Sequence, residues 1–365
     1  MALSHKKFDL TRSLRFCLPY AELMRIDKPV GILNIFFPYF YGFAFTVLTS
    51  EPKPNLSQIV PAKLWHLFFS TFILRSMGCA WNDIVDMDLD RQVERTKTRP
   101  LARGAVSPTI AYCFTSGLLA IWTASLIPLA PKSIQTGTYA VLLLMLVLLY
   151  PYMKRFTDYA QVVLGITLGF GILFGATFGG FDILLAIHQT AVDAMRAKDT
   201  VPLVQTLDDP RTLGLMLLYA AYLDWTVIHD TVYAFQDLRD DKKIGLKSLA
   251  IRTFRRTKFI LSLLGVLQVS LLGMTAIVMQ SSPHPVSNIW FRGEVLDMVR
   301  DVWKMQWPFV LLAVAGNAAI LPCFIIKVDL TDPGSCGWWF RTSSTLIGCS
   351  IGAGFAFQYV FETLK

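Results

Sequence analysis

Two clusters of carboxylates are the residues best suited to chemistry in this sequence. The first lies in Asn82-Asp83-Ile84-Val85-Asp86-Met87-Asp88-Leu89-Asp90, where Asn82, Asp86 and Asp90 are spaced i, i+4, i+8. On a helix that spacing makes one polar stripe. The second runs from Asp230 through Asp237 to Asp241, again with an i, i+4 pair, and Asp230 lies seven residues upstream on nearly the same face. Two carboxylates about 6 Å apart repel by roughly 3 kcal/mol at an effective dielectric of about 20. Acids converging in a partly dry cleft therefore protonate or hold cations. Oxygen-only ligands suit a hard ion, Mg²⁺ before Zn²⁺, and Mg²⁺ usually bridges one or two carboxylates to substrate phosphates. Facing clusters of this kind read as a diphosphate grip, with Asn82, Asp83, Asp86, Asp90, Asp237 and Asp241 as candidate metal ligands.

Phosphate also needs donors. Arg95, Lys97, Arg99 and Arg103 follow the first cluster, and Lys242, Lys243 and Lys247 follow the second. Lys154-Arg155 and the pair Arg25 and Lys28 are further bases. The plain alternative for any one of them is an anchor at the membrane surface.

The elements that must position these groups are membrane helices. The chain has 365 residues, 54% hydrophobic and only 16% charged, against about 25% charged in a soluble domain. That apolar surplus excludes a soluble enzyme, a disordered chain and a disulfide scaffold. Nine apolar stretches of spanning length are expected, at roughly 30–49, 64–82, 107–129, 137–153, 159–180, 213–236, 259–280, 307–326 and 342–362. The fold expected is an all-α bundle around a cavity open to the cytoplasmic side. Residues 1–28 form a cytoplasmic N-terminal segment and 29–365 a single transmembrane domain. With the N-terminus inside, 23 of the 34 Lys and Arg residues fall on the cytoplasmic side and 10 outside, as the positive-inside rule favours. Both acid clusters then sit at cytoplasmic helix mouths. The net charge of +8 points to anionic lipid, not nucleic acid.

These residues resemble the UbiA superfamily of intramembrane aromatic prenyltransferases. Asn82-Asp83-x-x-Asp86-x-x-x-Asp90, continuing through Arg95-Thr96-x-x-Arg99-Pro100-Leu101-x-x-Gly104, is similar to its first aspartate-rich motif. Asp230-Thr231-Val232-Tyr233-Ala234 through Asp237-Leu238-Arg239-Asp240-Asp241 to Gly245-Leu246-Lys247-Ser248 is similar to its second. Arg25-Ile26-Asp27-Lys28-Pro29-Val30-Gly31 resembles the family's approach to the first span, and Tyr150-Pro151-Tyr152-Met153-Lys154-Arg155-Phe156-Thr157 its turn between the fourth and fifth. The match covers most of residues 25–250; beyond it only the helix count agrees. Departures are Ala160-Gln161, where the family often has Pro-Gln, His229, where Tyr is frequent, and Asp224 within the sixth span.

The resemblance implies Mg²⁺-dependent transfer of a prenyl group, with farnesyl expected, to a ring carbon of a phenolic acid. Fungal meroterpenoid enzymes and 4-hydroxybenzoate polyprenyltransferases are the nearest groups. The first is preferred because the N-terminal segment is a weak mitochondrial presequence, so an endomembrane location such as the endoplasmic reticulum is expected. Asn82, Arg25, Arg99, Lys154, Arg155 and Lys247 would hold the diphosphate. Asp86, Asp90, Asp237 and Asp241 would be catalytic through the metal, and Asp230 would orient the acceptor or take its proton. No obligate protein partner is implied.

Other signals weigh less. An ion-coupled transporter also carries intramembrane acids, but at the midplane and in inverted repeats. A soluble prenyl diphosphate synthase is excluded by hydropathy, whereas haem and chlorophyll modifiers within the superfamily stay open. Six scattered cysteines and five histidines give no zinc pattern. Gly165, Gly169, Gly171, Gly175 and Gly179 read as a close-packing face. Arg75, inside the second span, pairs with a buried acid such as Asp224 or reaches the diphosphate. The segments 181–212 and 281–306 are long enough for interfacial helices.

Overall fold

The computed structural model describes residues 10–52, 56–127, 134–197, 207–281, 285–287 and 295–364. Every regular element among them is helical. α1 (Leu10–Leu23), α2 (Pro29–Leu48), α3 (Leu56–Val85), the one-turn α4 (Met87–Asp90) and α5 (Pro108–Leu126) form the first part. Then follow α6 (Ile134–Leu149), a 3₁₀ turn at Tyr150–Tyr152, α7 (Met153–Phe156), α8 (Ala160–Gly179) and α9 (Ile183–Ala197). The rest is α10 (Pro210–Ala234), α11 (Leu238–Lys243), α12 (Leu249–Thr253), α13 (Thr257–Ser281), α14 (Val295–Phe309), a π-helical turn at Val310–Ala315, α15 (Gly316–Lys327) and α16 (Pro333–Thr363).

Seven helices among the described residues are long and apolar enough to cross a membrane, so the chain is an integral membrane protein. The sequence reading expects nine spans. The two others fall in α3 and α10, of 30 and 25 residues. Both are long enough, but α3 carries Lys63, Arg75 and Asp83, and α10 carries Arg211, Asp224 and Asp230. The helices with the weakest membrane signature are those that bear the acid motifs. The segments 181–212 and 281–306 contain α9 and most of α14 respectively, with residues 198–206 and 288–294 outside the described set.

Helix starts follow local chemistry. Ser107, Asp209 and Asp332 each accept backbone N–H groups at an N-cap, and Pro occupies the first position of α5, α10 and α16. The bundle is tightest where α2 crosses α8. A Cβ on Gly175 would overlap the Tyr39 carbonyl, and one on Gly42 would overlap the Ile172 carbonyl. The glycine face of α8 therefore brings two backbones together. α8 also packs on α10, α10 on α13, α3 on α5, and α16 on α2. One continuous core runs through them, with Trp122, Trp225, Trp339, Phe45 and Phe355 almost fully enclosed.

The segment before α2 is docked on this bundle. Leu23 is buried with Leu101, Val106 and Ala111. Arg75 donates to the backbone oxygens of Met24 (2.9 Å), Arg25 (3.2 Å) and Lys28 (3.3 Å). It thus holds the α1–α2 turn, in which Arg25 adopts φ 55°. A side chain at Gly31 would collide with the Arg75 guanidinium. The partners of Arg75 are carbonyls and not the buried acid expected, because a membrane-buried guanidinium needs several acceptors and the turn supplies them. Asp224 is buried elsewhere, on α10.

Candidate active site

Both acid motifs lie where a long helix breaks. α3 ends at Val85 and Asp86 follows at φ −98°, ψ 5°. α10 ends at Ala234, and Asp237, which caps α11, sits at φ −108°, ψ 4°. These near-identical bridge conformations each turn the chain at a carboxylate. The stripe expected on one straight helix is bent at its centre. The i, i+4 register survives the bend, since Asp86 N–H donates to Asn82 O, Asp90 N–H to Asp86 O, and Asp241 N–H to Asp237 O at 2.8–2.9 Å.

The breaks face one chamber of about 170 Å³. Asn82, Asp90, Arg99, Lys154, Asp230, Asp237, Asp241 and Lys247 all line it. Four other expected residues stand behind or beside this wall. Asp83 is fully buried and receives Arg25 Nη2 at 2.5 Å, with Arg99 at 3.3 Å. Asp86 is equally buried and receives Lys154 Nζ at 2.5 Å. Arg155 donates to Val85 O at 2.6 Å and lies 3.4 Å from Asp86. Lys247 Nζ also donates to Phe156 O at 3.4 Å, and Lys247 N–H to Lys154 O at 2.9 Å, which ties the second motif's tail to the α7 turn.

Almost every acid has a cation. Arg99 Nη1 bonds both oxygens of Asp90, at 2.9 and 2.7 Å. Arg95, a base that spacing alone did not separate from its neighbours, grips Asp237 through Nε at 2.8 Å and Nη2 at 2.5 Å and donates to the Tyr233 hydroxyl at 2.8 Å. Among the described residues Asp230 has no such partner, and neither has Asp241. Burial, and then the adjacent Asp237 charge, push its carboxyl up to about 6. Burial also raises Asp86, against the pull of Lys154. Lys28 is lowered by burial and by Arg25 nearby.

A second chamber of about 260 Å³ opens below the first. Asn82 and Tyr150 line both. Below them the walls are mainly apolar, with Leu74 and Gly78 from α3, Leu143 and Val147 from α6, Tyr39 from α2 and Leu168 from α8, and two cations, Arg25 and Arg75, also line the chamber. Tyr150, Tyr233 and Gln161 are chamber residues that sequence reasoning did not assign. Gln161 follows Ala160, the position that departs from the family pattern, and its Oε1 accepts Leu249 N–H at 3.1 Å. His229, the other departure, is buried between Trp225 and Phe340, with Nδ1 2.9 Å from Trp225 O, and does not line the polar chamber.

The donor set suits a hard cation. Its free ends are amide and carboxylate oxygens, and neither Cys nor His lines the polar chamber. Asp83 Oδ2 is buried without a hydrogen-bond partner. Among the described residues, however, no three acidic, His or Cys side chains form a ready metal cluster. The acids are held apart by their own cations, so a metal would have to replace some of these ion pairs.

The comparisons agree with this architecture. Residues 35–291 match the UbiA prenyltransferase family. The mitochondrial 4-hydroxybenzoate polyprenyltransferase of Schizosaccharomyces pombe is 32% identical over 345 residues, covering 94% of this chain and 80% of that one. The polyprenyl transferase trt2 of Aspergillus terreus is 38% identical over 239 residues, 64% and 60% of the two chains. The DMOA farnesyltransferase nvfB of Aspergillus novofumigatus is 35% identical over 239 residues, 64% and 65%. In fold, the chain superposes on a UbiA homolog from Archaeoglobus fulgidus bound to GPP and Mg²⁺, with TM-score 0.55, 16% identity and 91% and 99% coverage. A homolog from Aeropyrum pernix K1 gives TM-score 0.54, 20% identity and 90% and 98% coverage. The chain belongs to the UbiA prenyltransferase family and is a transferase.

Proposed function

We propose that this protein transfers a short prenyl group, farnesyl, from its diphosphate to a ring carbon of a phenolic acid, in a metal-dependent reaction of meroterpenoid type. One observation carries the reading: the polar chamber between the two helix breaks continues, past Asn82 and Tyr150, into a chamber that is mainly apolar, with Arg25 and Arg75 in its wall. A diphosphate head fits the first and an isoprenoid tail the second. From Asn82 to Leu74 the apolar wall on α3 is eight residues long, or about 12 Å at 1.5 Å per residue. At roughly 5 Å per isoprene unit, four C–C bonds of about 1.5 Å in zigzag, that length holds two units, and the first unit of a farnesyl chain would lie level with Asn82 and Tyr150 beside the diphosphate.

Arg99, Lys154 and Lys247 face the head as donors, with Arg25 and Arg155 behind them. They neutralise charge as it develops on the departing diphosphate, where electrostatic stabilisation is most effective. Asn82, Asp86, Asp90, Asp237 and Asp241, with Asp83 in support, would hold Mg²⁺, which supplies Lewis-acid charge neutralisation of the leaving group. The A. fulgidus relative bound to GPP and Mg²⁺ supports this assignment. C–O cleavage leaves an allylic cation between Asn82 and Tyr150. Tyr150, which lines both chambers, would stabilise the cation by cation–π attraction, and the apolar part of the wall would exclude water. Asp230, at the rim of the polar chamber, orients the phenolic acceptor or takes the proton released from its ring.

A second reading is transfer of a long polyprenyl chain to 4-hydroxybenzoate, favoured by the 94% coverage by the S. pombe relative. The test is a membrane preparation with Mg²⁺ and geranyl, farnesyl or geranylgeranyl diphosphate against a panel of phenolic acids. Farnesylated product from a polyketide-type acid supports the proposal. Exclusive use of 4-hydroxybenzoate and long polyprenyl donors supports the second reading. Sedimentation of activity with microsomes rather than mitochondria tests the expected endomembrane location.

A further inference from the structure

A second charged groove lies outside the reaction chambers, between the α12–α13 turn and the loop after α15. It has a volume of about 480 Å³ and is lined by Phe254, Arg255, Arg256, Thr257, Lys258, Phe259 and Leu330. Three of these seven are cations and none is an acid. Elsewhere at this end of the bundle the cations are largely spoken for: Arg25, Arg91, Arg95, Lys97, Arg99, Arg103, Lys154, Lys243 and Arg252 each pair with a carboxylate. Lys258 donates to Ile326 O at 3.1 Å. The side chains of Arg255 and Arg256 have no hydrogen bond or ion pair among the described residues and are solvent-exposed.

What lies below the groove decides what it takes. α13 starts there and presents Phe259, Leu263 and Val266 outward, 65%, 55% and 67% exposed, at the i, i+4, i+7 spacing of one helix face. Ile326 of α15, 75% exposed, stands next to Lys258. An unpaired pair of guanidinium groups thus caps an apolar stripe that runs into the hydrocarbon. Phosphate on the guanidinium forks and an acyl chain along the stripe satisfy both features at once.

We propose that this groove is a binding site for one anionic phospholipid, its phosphate held by Arg255 and Arg256 and its acyl chain laid along α13. The site is joined to the reaction chamber through Phe254. That ring lines the groove, stacks on Phe235 at 6.2 Å and 19°, and lies under Lys242 Nζ at 4.3 Å. Phe235 is two residues before Asp237, and Lys242 is next to Asp241. A bound lipid fixes the turn that positions the second aspartate motif, so occupancy raises prenyl transfer.

The experiment uses the full chain reconstituted in vesicles of phosphatidylcholine with or without phosphatidic acid. Lipid retained on the purified protein is measured by native mass spectrometry, alongside the thermal midpoint and transfer activity. The expected result is one retained phosphatidic acid, a raised midpoint and faster turnover. R255Q/R256Q loses retention by about 25-fold, the product of about fivefold for each juxtamembrane cation, while keeping its activity in pure phosphatidylcholine. R255K/R256K restores part of the retention. Removal of the same net charge in R91Q/K97Q leaves retention unchanged. Equal loss in R91Q/K97Q, or stabilisation by inorganic phosphate without lipid, overturns the proposal. Retention and midpoint are read without substrate, so failure of the prenyltransferase reading leaves this test intact.

Discussion

Arg95 and Asp237 bind the two aspartate motifs to each other across 142 residues of sequence, through guanidinium–carboxylate hydrogen bonds from Nε (2.8 and 3.1 Å) and Nη2 (2.5 Å). The Tyr233 hydroxyl takes a third donor of the same guanidinium, and Arg95 also lies 5.0 Å over the Tyr233 ring. A planar fork matched to a carboxylate fixes orientation as well as distance. R95A should therefore displace Asp237 and lower kcat/KM by about a hundredfold, the usual consequence of an ångström-scale misplacement of reacting groups. R95K keeps the charge but not the fork and should fall between the two. Steady-state kinetics with farnesyl diphosphate separate these outcomes, and equal activity in all three proteins would sink the idea.

D86A and D237A should each abolish turnover while the protein stays folded. Each carboxylate sits at a helix break and outside the apolar core, Asp86 against Lys154 and Asp237 against Arg95, so D86N and D237N, which keep the side-chain volume, should lose turnover as well. EDTA should silence the wild-type protein, and Mg²⁺ should restore it. Size-exclusion profile and thermal midpoint control for folding; full activity in either variant refutes the ligand assignment.

Much of this was legible in the sequence because acids in a membrane helix are costly. One Asp at a helix centre costs about 2.5–3.5 kcal/mol by insertion scales, so acids at the mouths of apolar helices, such as Asp86 and Asp237, stand out as candidates from their position in the sequence. Arg95 did not. It is one of four bases after the first motif, and only the folded chain shows which of them reaches α10. The acid partner expected for Arg75 failed for a related reason: its acceptors are the carbonyls of a turn 47–51 residues away, and carbonyls are invisible to residue-type reasoning. The glycine face of α8 was read correctly, since G-x-x-x-G spacing has a direct geometric meaning, but its partner α2 could be learned only from packing.

Asp241 gives a pH signature. Burial, with Asp237 beside it, raises its carboxyl from 3.8 to about 6. A raised folded-state value means that the protonated form favours folding. This contribution is complete below about pH 4 and is lost as pH rises through about 6. The metal-free protein should consequently be more stable at pH 5 than at pH 7, by an increment that D241N removes. D241N should also be the more stable of the two at pH 7, yet inactive. Thermal midpoints of both proteins across this range check the sign, and a midpoint difference that does not vary with pH would contradict it.

The crossing of α2 and α8 tolerates nothing larger than hydrogen at Gly175, where a Cβ would overlap the Tyr39 carbonyl. G175A should destabilise the bundle by roughly 1–3 kcal/mol or more, as overpacking does. G117A is the control, since no atom lies within 4 Å of a Cβ there; replacing a helical glycine at that position should be neutral or mildly stabilising. Unfolding in detergent distinguishes the two variants directly.

Tyr39 closes the bottom of the apolar chamber. Its ring rests on Gly171 and meets Phe174 edge-on at 5.8 Å, while Leu74 and Leu143 close the same level from α3 and α6. All three lie on the side away from the acids, because α3 and α6 both run toward the charged end and α2 runs from it. If the tail of the donor occupies this chamber, its length is limited by that floor. Y39A should shift donor preference from farnesyl toward geranylgeranyl diphosphate, through a lower KM for the longer donor, with the diphosphate contacts and the metal requirement unchanged. L74A should move preference in the same direction by a smaller amount, since it removes less volume. Donor competition in one reaction gives the ratio of kcat/KM values directly. A ratio unchanged in both variants would place the tail elsewhere, against the lipid-facing side of the bundle, and with it remove the argument for a short donor.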